Sequence, residues 1–252
     1  MPGPLRAAAE HRSLQPASAL LLPAPHRYLA LVSVREIPLF PLPLVLFPGT
    51  PLPLHVFEPR YQRMLADCLA ADRTFGIIYR PEGVPERALP AGTVGCMARV
   101  TSVDSLPDGR SNILVSGDER FRLVGFVDSP HPYHMARVEP YEDERESTGP
   151  LVPVAARVRG LFERVARAAR VITEESADIP PVSENPSLLS FAIASVVDLD
   201  ADARQQLLAS RSPMARLRTI EALLDGAVAT LEERAAVHQR ARGNGHGPVE
   251  GA

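Results

Sequence analysis

The side chains able to do chemistry in this chain are few and far apart. Its seven histidines are scattered. His131 and His134 share one His-Pro-Tyr-His turn with Asp128 close by, at most a fragment of a metal site. Zinc asks for three or four ligands with an ordered shell behind them. No such cluster stands near, so turn and edge-strand histidines are the plainer reading. His55 lies in an apolar stretch, where a hydrogen-bonded structural imidazole is expected over a base. Cys68 and Cys96 fall on apolar positions of predicted elements and read as buried free thiols. That suits a reducing, cytoplasmic setting. Glu142, Asp143, Glu144 and Glu146 crowd one short run, which reads as solvated linker charge. No metal, cofactor or catalytic set is expected.

All 27 basic residues are arginine. The bias fits a GC-rich coding preference, but its consequence is chemical. A P-loop needs a lysine at the β- and γ-phosphates. A Ser-Lys dyad and a Schiff base need the same amine. None of these can operate in this sequence. Gly-x-Ser-x-Gly, His-Glu-x-x-His and Gly-x-Gly-x-x-Gly are also missing. The sequence therefore predicts a protein that is not an enzyme. A net charge of −3 gives no electrostatic case for nucleic acid or an acidic membrane. No apolar run approaches the roughly 18 residues of a membrane span.

The elements that must position these residues follow from periodicity. Met1–Val32, rich in Ala, Pro, Leu and Arg, reads as a disordered leader. Ile37–Tyr61 holds seven prolines among large apolar residues, which predicts short extended pieces joined by fixed turns and argues against a central strand. Phe47-Pro48-Gly49-Thr50 reads as a tight turn. Pro59 opens a helix to about Ala71, with Tyr61, Met64, Leu65 and Cys68 on one face. Strands are expected at Thr74–Tyr79, Val94–Val103, Ser111–Ser116, Arg120–Val127 and Tyr133–Tyr141. Asp108-Gly109 makes a hairpin, Gly117-Asp118 a second turn, and the last strand lies near an edge. Residues 142–150 form a charged linker. From Leu151 the apolar period changes from 2 to 3.6, predicting four helices to about residue 237. Asn185 and Asp200 cap two of them. Residues 238–252 read as a disordered tail. The chain is thus α+β, with a β part over 33–141 and a helical part over 151–237.

The opening stretch carries a resemblance. Pro38 to Leu42, Phe47-Pro48-Gly49, Pro53-Leu54 and Phe57-Glu58-Pro59-Arg60-Tyr61 are similar to the signature of the N-terminal, substrate-binding domain of Lon proteases. Gly92 to Gly95, Asp108 to Arg110, Ile113 to Gly117, Arg120-Phe121, Tyr133 to Glu139, Gln206 to Leu208 and Arg216-Leu217 follow in that family's order. The resemblance spans about Arg35 to Glu232. It implies a PUA-like β pseudo-barrel followed by a C-terminal α-helical bundle. In full Lon proteases this domain recognises unfolded protein and helps assemble the ring, while later domains unfold and cleave. The chain ends after the bundle, so the resemblance implies a stand-alone protein of bacterial type that binds protein segments without cleaving them.

Two readings of function remain. In the first, Leu44, Val45, Leu46, Phe47 and Phe57 line a surface for unfolded or partner protein segments, or an exposed edge strand pairs with an extended peptide. The alternative place for these residues is the core. Pro48, Gly49, Pro53, Glu58, Arg60, Tyr61, Gly95 and Arg120 then hold the motif together, Arg60 as a clamp on a neighbouring loop. The second reading is an RNA-binding module, by analogy with other PUA-like folds. The negative charge argues against it, and only Arg157, Arg159, Arg164, Arg167 and Arg170 give a basic helix flank.

Overall fold

A computed structural model describes residues 33–174 and 182–243. The leader at 1–32 lies outside the described residues. Six strands, β1 (Arg35–Leu42), β2 (Pro51–Val56), β3 (Thr74–Tyr79), β4 (Val94–Ser105), β5 (Ser111–Val127) and β6 (His134–Pro140), form one sheet in the order β2-β5-β4-β3-β1-β6. The sheet is not a regular barrel, but β5 also pairs with β6, so five strands return on themselves and β2 extends beyond them. One apolar cluster draws on all five of those strands, through Leu39, Ile78, Met97, Phe121 and Val138. On another face, α1 (Pro59–Leu69) lays Tyr61, Met64, Leu65 and Cys68 against Phe40, Phe75, Ile77 and Val115.

Three expectations for the strands need correction. The prolines of β1 do not keep it from the sheet interior, since β1 lies between β3 and β6. The register explains how: β6 pairs with Arg35–Leu39 and β3 with Leu39–Leu42, so Pro38 and Pro41 each lie beside only one neighbour. Each missing N–H therefore costs the sheet at most one ladder bond, to a single neighbour. Likewise Gly117 is no turn. β5 runs unbroken for 17 residues through it. A Cβ at Gly117 would stand 2.0 Å from the Phe47 carbonyl oxygen, so glycine is there to let two backbones touch. Finally, β6 is flanked by β1 and β5 and is not an edge.

Among the described residues, five α-helices accompany the sheet. After α1 come α2 (Thr148–Thr173), α3 (Pro186–Val196), α4 (Ala201–Ala209) and α5 (Pro213–Gly243). The Asn185 side chain accepts from the Ser187 and Leu188 amides, and Asp200 accepts from Ala203. These caps are the ones read from sequence. α2 starts at Thr148, inside the expected linker, and α5 continues to Gly243, past the expected tail boundary at 238. Ala and Arg sustain helix well, and His238 is tied to Glu174 at 3.1 Å. α2 and α5 run parallel: Arg157 meets Asp225 at 3.5 Å and Arg164 meets Glu232 at 2.8 Å. Their core includes Val158, Leu161, Leu189, Ile193, Leu217 and Ile220, and takes Val45, Phe47 and Val94 from the sheet side. The described strands and helices therefore share one compact unit. Among the described residues no helix is long and apolar enough to cross a membrane.

Candidate functional site

The apolar run that the sequence left between core and binding surface is largely core. Val45, Leu46 and Phe47 are buried, and Leu44 is half-buried. Phe47 stacks on Phe191 of α3 with ring centres 5.7 Å apart, so this stretch joins the sheet to the helices and is not open to a partner. Gly49, at φ +74°, turns the chain out of it, with Pro48 half-buried beside it. Only Phe57 stands out, 59% exposed and stacked on His55, which bonds Asn112 at 2.8 Å.

The free edge beside Phe57 is blunted. The Thr50 carbonyl accepts from Gly117 at 2.9 Å, which sets the alternation along β2. Leu52, Leu54 and Val56 then face β5, while Pro51, Pro53 and His55 face outward. Two of three outward positions have no N–H to give an incoming strand. An added peptide strand has little to bind here.

Glu58, Arg60 and Tyr61 belong to a polar hub that pins the loop after β3. The Glu86 carboxylate, in the 3-10 turn Glu86–Ala88, accepts two bonds from Arg60, at 2.6 and 2.8 Å. It also meets His134 Nε2 at 2.6 Å and the Tyr61 hydroxyl at 3.3 Å. Arg60 bonds Glu58 at 2.9 Å and lies over the Tyr61 ring. Burial opposes the Glu86 charge, but the bonds from Arg60 and His134 outweigh it and hold the carboxyl below its usual range. The hydrogen bond from Arg60 to Glu86 in turn raises the guanidinium, and burial pushes the Tyr61 phenol up. His131 stacks on Tyr133, and among the described residues no group of His, Cys, Asp or Glu is set to hold a metal. Burial lifts the Cys68 thiol to about 12, which leaves it unreactive at neutral pH.

The charged run after β6 is the larger surprise. Asp143 is no solvated linker residue. Its carboxylate receives Arg120 at 2.5 Å, Arg216 twice at 2.7 Å and the Ser187 hydroxyl at 2.5 Å. Both arginines are buried. Arg120 also donates to the Leu208 and Ser210 carbonyls, and Arg216 lies 4.1 Å from the Phe191 ring centre. Glu146 accepts from Ser212 and from the Met214 amide. Burial raises the cost of the Asp143 charge, yet the bonds from Arg216 and Ser187 hold its carboxyl below the usual range. Burial also lowers Arg120. This cluster ties β5, the chain after β6, α3 and α5 together. Gly95 serves a different contact, within the strands: a Cβ there would stand 2.3 Å from the Phe121 ring.

Away from the sheet the helices are less fully covered. A groove of about 490 Å³ lies between α2, α5 and the end of α3. Phe162 and Val165 of α2, Leu224 and Leu231 of α5, and Val196 beside α3's end line it. Val196 is 65% exposed and Leu223 41%, so the rim is apolar too. The sequence placed Phe162, Val165, Val196, Leu224 and Leu231 on helical stripes, but nothing in a stripe tells which part stays uncovered. The basic flank of α2 is mostly engaged: Arg157 and Arg164 pair with α5 carboxylates and Arg159 donates to the Ser183 carbonyl.

Comparison with known proteins gives one consistent result. Residues 36–226 match the family model of the ATP-dependent protease La (LON) substrate-binding domain. Lon protease 2 of Herpetosiphon aurantiacus is 30% identical over 203 residues, 78% of this chain and 24% of that protein. Lon protease 1 of Syntrophobacter fumaroxidans is 27% identical over 187 residues, 73% of this chain and 23% of that protein. The chain thus spans about a quarter of the length of the curated relatives it matches. Among solved structures, the N-terminal domain of Mycobacterium avium complex Lon protease superposes with a TM-score of 0.59 at 18% identity, covering 76% of this chain and 98% of that one. A Lon N-terminal domain protein from Xanthomonas campestris gives 0.52 at 25% identity, covering 75% and 98%. A family match over most of the chain shows that it belongs to the LON substrate-binding-domain family.

Proposed function

We propose that this member of the LON substrate-binding-domain family is a non-catalytic module that binds segments of other proteins, and that the groove between α2, α5 and the end of α3 is the contact surface. The observation that carries this is the groove itself, an apolar concavity with an exposed apolar rim at Val196 and Leu223. Exposed apolar patches of this kind mark interaction sites. The buried Val45 to Phe47 stretch contributes indirectly, by fixing α3 through Phe191. The match to a substrate-binding domain supports the class of partner. Phe57 offers a second, smaller contact beside the blunted β2 edge.

The test is a fluorescence-anisotropy titration of the protein against a reduced, carboxymethylated model protein. Binding in the micromolar range is expected. Leu223→Glu puts a charge on the groove rim and weakens that binding at least tenfold. Absence of binding, or binding indifferent to Leu223→Glu, removes the groove from the function.

A further inference from the structure

We infer that the groove takes a segment with an apolar centre of about four residues and opposite charges at its two ends. This rests on the protein-binding reading above. Two charged side chains line the groove, Arg170 and Asp198. Neither makes an ion pair or a side-chain hydrogen bond among the described residues. Their neighbours differ: Arg157, Arg164 and Arg218 hold carboxylates, and Arg159 and Arg204 hold carbonyls. The groove is thus bordered by two opposite charges that have no partner among the described residues.

Their positions set the length of the occupant. Arg170 stands eight residues beyond Phe162 on α2, about 12 Å along the axis at the usual helical rise. Asp198 stands at the other end. Leu223 lines both this groove and a smaller cavity of about 150 Å³ that includes Leu199, so the chain leaving α3 lies at the Leu223 end. An extended chain covers about 12 Å in roughly four residues. The lining between the two charges is apolar apart from backbone, so those four residues are apolar. An acidic flank then meets Arg170 and a basic flank meets Asp198. A second copy of this chain docked about a two-fold axis would satisfy the same charges reciprocally, so the experiment separates that occupant as well.

Three fluorescent peptides share the centre Leu-Phe-Val-Leu. One carries two glutamates at one end and two arginines at the other; one carries glutamates at both ends; one carries arginines at both. Titrated against the full chain at low salt, the mixed-charge peptide binds best, by about fivefold, the range expected when an exposed ion pair is exchanged for repulsion. Arg170→Glu moves the preference to the all-arginine peptide and Asp198→Arg moves it to the all-glutamate peptide. At about 1 M salt the three converge. One ranking shared by the parent and both variants overturns the charge rule and leaves the protein-binding reading standing. Failure of all three peptides to bind overturns both. A stable dimer in sedimentation velocity that Val196→Glu dissociates overturns the proposal too, since the groove is then a contact between copies.

Discussion

At the sheet end of the helical layer, α5 is held by a polar cluster with two buried arginines, and α3 packs on both α2 and α5. Beyond the groove, among the described residues, the same two helices pack mainly on each other. Buried positions on α2 are Leu151, Val154, Ala155, Val158 and Leu161 near the sheet, and beyond them Ala168. On α5 they run from Leu217 to Val228, and beyond them Ala235. The seam narrows to alanines, and the ion pairs that replace large side chains there are exposed. Such exposed pairs, screened by water and salt, contribute little. The contrast teaches where stability and accessibility lie in this fold. The Asp143 cluster near the sheet is paired and buried; the groove keeps apolar surface open and is bordered by Arg170 and Asp198, which have no partner among the described residues.

The comparison breaks most directly at Asp143. Asp143→Ala leaves Arg120 and Arg216 buried without their carboxylate, and removing one member of a buried ion cluster costs about 3–5 kcal/mol. For a chain of this size that lowers Tm on the order of 10 °C, measured by circular dichroism. A loss below about 1 kcal/mol would mean that the arginines relax to water and that apolar packing alone fixes the sheet end. Acid probes the same contact with a known sign. The Asp143 carboxyl is held below its ordinary range when folded. Its contribution is complete above the unfolded value of about 3.9 and is lost as pH falls through the lower folded one. Urea unfolding therefore gives a constant gap between the parent and Asp143→Asn from pH 7 to pH 5, and a shrinking gap below pH 4. A gap that closes already at pH 6 would assign the effect to another group.

Much of this architecture is legible in the sequence, and the exceptions share a cause. Period 2 giving way to period 3.6 marks the passage from strands to helices, and Asn185, Pro186 and Asp200 mark helix starts, because these signals act within a few residues. The contacts that decide the candidate site act at long range. Asp143 meets Arg216 across 73 positions in the chain, and locally it is one acid among several in a run that lacks apolar residues. Gly117 looks like a turn because its reason, the Phe47 carbonyl, lies far upstream. Val45 to Phe47 look equally suited to core or surface, since an apolar run does not say what covers it. The same ambiguity hid the groove, whose lining was read as ordinary helical stripe.

Hydrogen exchange sharpens the contrast at smaller amplitude. Local opening needs little apolar surface to be exposed where few side chains are buried. Amides of α2 beyond Val165 and of α5 beyond Leu231 should exchange at least tenfold faster than those of Val158, Leu161, Leu217 and Ile220, read by mass spectrometry of peptic fragments. Equal protection along both helices would show that the far half is as firmly held as the near half, and that an open groove needs another explanation.

The smallest expected effect is also the most discriminating. Leu223→Glu alters a residue that is 41% exposed on the rim, and surface substitutions of this kind stay within about 0.5 kcal/mol. Near the sheet a comparable change, Leu217→Glu, puts a carboxylate into fully buried surroundings and abolishes folding. Comparing the two by urea unfolding separates the regions by the sign of what each residue does: Leu217 holds the helices together, while Leu223 costs the free protein nothing to lose. If Leu223→Glu instead destabilised the chain by more than about 2 kcal/mol, its side chain would be part of the core in solution. The groove would then be closed, and the weakened binding predicted for that variant would report unfolding and not contact.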